Sequence, residues 1–313
     1  MSGKTIIVVG ASAGGLTALR TLVAGMPADL AAPVCIVLHI GRHKSELAAI
    51  LGRVGPLPVA EAEDGARLAD GHIYVAPSDR HLLIADDHIH LTRGPKENFA
   101  RPAIDPLFRS AAEIYGAGAI GVILSGFLND GTAGLYEIKR RGGTSVVQTP
   151  RDAEHPDMPQ SALAHVEVDH CVPVADMPAL LARLAATGTV EITEEVAPMT
   201  ANETLERPVA LTCPDCGGAL RREEIGTLTK YRCHIGHSYT AETMATGQFT
   251  EMERGIETAL RCVRERMEMC RQMAERPGAP DGREGWQAAM RQAEERAGEM
   301  EAFLRRDWLA PEA

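Results

Sequence analysis

Near the start of the chain, Gly10-Ala11-Ser12-Ala13-Gly14 satisfies the pattern Gly-x-Ser-x-Gly. Small residues on both sides of a serine permit a sharp strand-to-helix turn that holds the hydroxyl out at the top of a sheet, the posture of a nucleophile. Such a serine needs a base within hydrogen-bond reach and a third group to orient the base. His39 ends the apolar run VCIVLH, and Asp130 lies just past IGVILSGFLND. Both therefore fall at tips of predicted strands, where reactive groups gather in an open parallel sheet. Each residue also has a plainer reading: a tight strand–helix turn for Ser12, a strand-capping imidazole for His39, an Asn-Asp-Gly turn for Asp130. Their coincidence at three strand ends favours a triad of Ser12, His39 and Asp130. Its chain order differs from those of the α/β-hydrolases, chymotrypsin and subtilisin. His72, His88, His90 and His165 fall in or beside polar segments and read as solvated or locally bonded imidazoles.

The same turn has to be weighed as a phosphate cradle. A dinucleotide fingerprint needs glycine where Ser12 stands, and an acidic residue for the ribose at the end of the second strand, where the chain has His39. No Lys-Ser or Lys-Thr follows the glycines, which excludes a P-loop.

A second constellation lies downstream. CPDCGG and YRCHIGH present Cys213, Cys216, Cys233 and His237. A two-residue gap lets two thiolates reach one ion from a tight turn, and the second pair supplies the other half of a zinc ribbon with Cys3His coordination. His234 is a rival for the fourth place. The surrounding segment holds few large apolar residues and needs a staple to fold. With four protein ligands the site is expected to be structural, with no open position for catalysis. No cofactor is expected for the chemistry at Ser12.

The elements that position these groups follow from periodicity. From Thr5 to about Leu184, Val/Ile-rich runs alternate with helix-period stretches, the pattern of βαβ units and a mostly parallel sheet in an α/β domain. HIYVAPSDRHLLIADDHIHLTR breaks the rhythm with three short β-like runs, read as antiparallel strands at an edge. The expected organisation is a catalytic domain over 1–186, a polar linker over 187–208, a zinc-ribbon-like unit over 209–240 and a helical hairpin over 241–313. In the last, Met244, Met252, Ile256, Leu260, Val263, Met267, Trp286, Met290, Phe303 and Trp308 recur at helical spacing and read as a hairpin seam. Cys262 and Cys270 are assigned to that helix surface or seam.

The net charge is −11 over 313 residues, which disfavours a nucleic-acid surface built on clustered Lys and Arg. The N-terminus carries no signal-peptide core, and no apolar run approaches the roughly 18 residues of a membrane span. The expected location is the cytoplasm, without membrane insertion, where clustered cysteines hold metal more often than disulfides.

VGASAGG, LHIG, EAEDG, HIYVAPSDRHL, RPAIDPLF, GVILSGFLNDGTAG and MPQSAL, in that order, resemble the catalytic domain of the chemotaxis protein-glutamate methylesterases (CheB). The resemblance covers about Thr5 to Leu184. It implies a doubly wound sheet with an antiparallel hairpin, and hydrolysis of glutamyl methyl esters on the cytoplasmic helices of methyl-accepting chemotaxis receptors, often with glutamine deamidation. It implies Ser12 as nucleophile, His39 as base, Asp130 as orienting group, and an oxyanion donor on the backbone near Phe127. Phe127 stands where the family commonly has Met, and Gln160 where it often has an arginine. The chain opens on the catalytic domain's first strand, so the expectation is an enzyme not switched by an attached receiver domain. The ribbon and hairpin are expected to dock or oligomerise. The alternatives are a non-catalytic adaptor or signalling scaffold, and an esterase for a protein outside chemotaxis.

Overall fold

The computed structural model describes residues 4–39, 45–187, 210–276 and 282–306. The expected linker from 188 onward and Trp308 lie outside the described residues. A seven-stranded sheet forms the frame. Its strands are β1 (Ile6–Ala11), β2 (Val34–Leu38), β3 (Val59–Glu61), β4 (Ile73–Val75), β7 (Ala119–Ile123), β8 (Thr144–Gln148) and β9 (His170–Val172), in the order β3-β4-β2-β1-β7-β8-β9. Every neighbouring pair is parallel. A separate antiparallel hairpin pairs β5 (His81–Ala85) with β6 (His88–Thr92).

Period-2 alternation sends the side chains of β1 to two cores. Ile7, Val9 and Ala11 face one cluster with Leu19 and Leu22 of α1 (Gly15–Ala24) and Leu180 and Leu181 of α6 (Met177–Thr187). Ile6 and Val8 face the other, with Leu107 and Phe108 of α3 (Ile104–Tyr115), Leu135 of α4 (Thr132–Arg140) and Met158 of α5 (Asp157–His165). A sheet buried on both faces requires continuous apolar strands, and β1 and β7 are buried throughout. The short α2 (Leu47–Leu51) closes the first layer.

One expectation is corrected here. Of the three β-like runs after residue 71, only the second and third make the antiparallel hairpin; Ile73–Val75 is a parallel member of the main sheet between β3 and β2. All three residues of that run are buried, as a two-face strand demands.

The ribbon strands β10 (Leu220–Ile225), β11 (Leu228–Cys233) and β12 (Ser238–Thr240) form an antiparallel sheet. The chain divides into two compact units, one through Thr243 and the other from Met244. The ribbon, expected as a unit by itself over 209–240, thus belongs to the same compact unit as the large sheet. Buried polar contacts described below tie the two together. The second unit contains most of α7 (Ala241–Glu275) and all of α8 (Gly282–Leu304). Within it Leu260, Cys270, Ala274, Ala293 and Ala297 are buried, Cys262 is exposed, and Arg264 pairs with Glu301 at 2.7 Å. No helix among the described residues is long and apolar enough to cross a membrane.

Candidate active site

Strand order reverses between β1 and β7, and the crevice beyond the carboxyl ends of strands at such a switch point is where open α/β sheets place ligands. Ser12 follows β1 directly, and its backbone N–H donates to the Ser125 carbonyl beyond β7 at 2.9 Å. Gly14, two residues on, has φ +70°, and a Cβ there would lie 2.6 Å from Glu154 Cβ, so only glycine suits both the conformation and the space. Across the crevice, a Cβ on Gly126 would meet Ser12 Cβ at 2.8 Å. Absence of that carbon lets the 125–131 loop lie against the serine.

His39 follows β2, with its N–H on the Ala11 carbonyl at 3.2 Å. Its Nδ1 is 3.1 Å from Ser12 Oγ and its Nε2 is 2.8 Å from Asp130 Oδ2. The structure therefore brings Ser12, His39 and Asp130 into one hydrogen-bonded chain. The ring is turned the opposite way from the chymotrypsin arrangement, which is chemically equivalent: whichever nitrogen faces the carboxylate carries the proton, and the other is left as the base.

Asp130 is 2% exposed. Its carboxylate sits on the first turn of α3, accepting from the Ile104 N–H at 2.6 Å and the Asp105 N–H at 3.3 Å, and from Asn98 Nδ2 at 3.0 Å. A helix N-terminus offers unpaired N–H groups and positive potential to an anion. Burial pushes this carboxyl up, but the His39 hydrogen bond and charge, the Ile104 N–H and the Asn98 amide outweigh it and hold the pKa at about 2. Asp105, fully buried in the first turn of α3, returns the arrangement: its Oδ1 accepts from Gly131 N–H at 3.1 Å and Gly134 N–H at 2.8 Å, at the start of α4. Burial pushes the Asp105 carboxyl up, against the pull of Lys230.

Phe127, the expected oxyanion position, is 53% exposed at the rim, its ring 4.1 Å from that of His155. Leu128 beside it has φ 60°, a strained conformation for a branched side chain. Among the described residues the Phe127 N–H has no hydrogen-bond acceptor, and neither does the N–H of Ala13. Ala13 was not singled out from the sequence, although the residue after a nucleophile is a standard oxyanion donor. Asn98, Asp105 and the buried His81 were missed as well. His81 accepts from the Ala103 N–H and bonds the Pro95 carbonyl, bracing the segment that carries Asn98. Of the histidines read as solvated, His72 bonds the Asp70 carbonyl, His90 lies 3.3 Å from Asp64, His165 meets Thr227, and His88 is exposed.

In the ribbon, Cys213, Cys216, Cys233 and His237 place one ligand atom each within 4.8 Å of all the others. Cys216 Sγ and Cys233 Sγ are 3.8 Å apart, and His237 Nδ1 is 3.6 Å from both Cys213 Sγ and Cys233 Sγ. A tetrahedral zinc ion sets thiolate and imidazole ligand atoms roughly 3.5–3.8 Å apart, so these residues fit one. His234 is exposed and lies beside Gly218, outside the cluster.

The family model for CheB methylesterase matches residues 7–181. A putative protein-glutamate methylesterase/protein-glutamine glutaminase of Leptospira interrogans is 41% identical over 180 residues, covering 57% of this chain and 93% of the relative. The protein-glutamate methylesterase/protein-glutamine glutaminase 1 of Geobacter metallireducens is 38% identical over 182 residues, 56% of this chain and 50% of that one. Among solved structures, the CheB methylesterase catalytic domain of Thermotoga maritima matches with a TM-score of 0.56 and 34% identity, over 58% of this chain and 98% of that one. The domain built around Ser12, His39 and Asp130 places this chain in the CheB methylesterase family.

Proposed function

We propose that this chain is a cytoplasmic serine hydrolase that removes methyl groups from glutamyl methyl esters on methyl-accepting chemotaxis receptors, releasing methanol, with glutamine deamidation as a second reaction of the same site. The observation that carries this reading is the unbroken hydrogen-bonded chain from Ser12 Oγ through His39 to Asp130 at the switch point of the sheet. His39 Nδ1 takes the Ser12 proton as the oxygen attacks the ester carbonyl, while Asp130 keeps the proton on Nε2 and stabilises the imidazolium. The oxyanion is met by the N–H groups of Phe127 and Ala13. The imidazolium then gives its proton to the departing methoxide, and methanol leaves. Water, deprotonated by the same nitrogen, hydrolyses the glutamyl ester on Ser12 to a carboxylate. In deamidation ammonia is the leaving group.

The same reading gives Cys213, Cys216, Cys233 and His237 a zinc ion. When bound it supplies a cross-link and no catalytic position, because all four places are filled by protein. The two-helix unit, which contains none of these groups, is assigned docking or self-association.

The test is methanol release from methylated chemoreceptor cytoplasmic fragments by the intact chain and by Ser12→Ala. Release by the former and a loss of at least about a thousandfold in the latter are expected, on the scale of removing a triad nucleophile. No release from either refutes the reading.

A further inference from the structure

Lys230, in the middle of β11, is 1% exposed. Its Nζ donates to Asp105 Oδ2 at 3.0 Å and lies 3.6 Å from Glu97 Oε2. Removing an ammonium from water is costly unless it is opposed in good geometry. Here the opposing carboxylate is the one whose other oxygen holds Gly131, which follows Asp130, and Gly134 in the first turn of α4.

A second connection comes from β12. The Thr240 N–H donates to Asn98 Oδ1 at 3.1 Å, and the Asn98 side-chain nitrogen donates onward to Asp130 at 3.0 Å. The Asn98 backbone N–H is held by the Ser238 carbonyl at 2.8 Å. Asn98 itself has φ 50° and Phe99 φ 61°, and the Phe99 ring lies 4.7 Å from that of Tyr239. The Thr240 hydroxyl donates to Asn129 Oδ1 at 2.7 Å, one residue before Asp130. Two neighbouring strands of the ribbon thus reach the orienting carboxylate by separate routes.

We propose that Lys230 and Thr240 are positioning residues for Asp130, which makes the ribbon a working part of the esterase site. The proposal rests on the esterase reading above. Neither residue touches Ser12 or His39. Lys230 acts through Asp105 on the first turn of α4, and Thr240 acts through Asn98 and Asn129 on the carboxylate and its loop. Without Lys230, three neighbouring carboxylates, Glu97, Asp105 and Asp130, are left with Arg109, which is already committed to Glu97. Asp105 then takes up a proton rather than stand as an unpaired buried anion, its hold on the Gly131 and Gly134 N–H groups weakens, and the seat of Asp130 loosens. The metal cluster bears on both strands, since Cys233 ends β11 and His237 precedes β12.

The experiment compares Lys230→Gln and Thr240→Val with the wild-type full chain, loaded with zinc, in methanol-release kinetics on methylated receptor fragments. Bound zinc and far-UV circular dichroism are measured on each protein. Lys230→Gln is expected to lose about tenfold or more in kcat with KM within about twofold, the pattern of a catalytic group displaced by a fraction of an ångström. Thr240→Val, which deletes one hydroxyl and keeps the backbone N–H, is expected to lose about threefold in the same way. Wild-type kcat in a folded, zinc-loaded Lys230→Gln, or a loss confined to KM, overturns the proposal. If Lys230→Gln does not fold, Thr240→Val decides by the same criteria. A wild-type chain that releases no methanol refutes the esterase reading itself, and the proposal with it.

Discussion

The two ends of the triad are held in different ways. Ser12 and His39 are fixed by the sheet: each follows a parallel strand, and their N–H groups bond the carbonyls of Ser125 and Ala11. Asp130 is fixed by side chains and helix ends: the first turn of α3, Asn98 and, behind them, the ribbon. Ser12 and His39 are therefore held within the segment that the family model matches, whereas Asp130 also leans on residues beyond it, since the match ends at 181. In the Leptospira relative the match occupies 93% of that chain, which leaves too little for a ribbon of this length. In this chain, the member of the three least constrained by the sheet is the one that draws support from outside the matched segment.

The sharpest way to break this contrast is at Asp130. Asp130→Asn is expected to cut methanol release about 10³–10⁴-fold with little change in fold, because the amide no longer fixes the imidazole tautomer. A loss of less than tenfold, measured in single turnovers, would show that the acid end matters little however it is held. Next in size is the cluster of Cys213, Cys216, Cys233 and His237. Cys216→Ser should abolish zinc binding and lower the melting temperature of the sheet-and-ribbon unit by about 10 °C, several kcal/mol for a unit this size. Methanol release should fall as well, while Cys171→Ser, at an exposed thiol in the sheet domain, changes none of the three. Zinc loss with undiminished turnover would separate the ribbon from the acid end.

The smallest effect is the most specific to the buried charges. The Glu97 carboxyl is pushed up by burial, but the Arg109 charge and hydrogen bonds and the Lys230 charge prevail and hold it at about 2, down from 4.5. Asp130 is likewise held at about 2. A carboxylate with a depressed folded-state pKa contributes stability that is full above its unfolded value and is lost as pH falls through the folded one. Stability should therefore decline from about pH 4.5 to about pH 2. Glu97→Gln should lower the melting temperature at neutral pH by a few degrees and flatten that decline, as followed by calorimetry across the range. An unchanged slope would mean that Glu97 titrates alike in both states.

The parts of this arrangement legible in the sequence are those with a local cause. Apolar runs followed by helix-period segments give a parallel sheet, and residues at the ends of those runs, Ser12, His39 and Asp130, fall at its carboxyl edge. The cysteine spacing in the ribbon is equally local. What supports Asp130 is not local: Asn98 and Thr240 are 142 residues apart, and Lys230 and Asp105 are 125 apart. A lysine within LTKYRC reads as an exposed strand residue, since charged side chains are seldom fully buried. The one available signal is alternation, which puts Lys230 on the same face of β11 as the buried Leu228. Ile73–Val75 was misplaced for a related reason: three apolar residues flanked by polar ones fit an edge and an interior strand equally.

The order in which these pieces are made has a consequence for the cell. The last strand of the large sheet ends at Val172 and the last strand of the ribbon at Thr240, so on a ribosome adding about 5–20 residues per second the sheet emerges roughly 3–14 seconds before the ribbon is complete. During that interval the nascent chain holds Ser12, His39 and Asp130 while Lys230 and Thr240, which stand behind Asp105 and Asn98, are still to come. On the proposed esterase reading, full turnover is thereby tied to synthesis through the ribbon, and a fragment ending before it should be the weaker esterase.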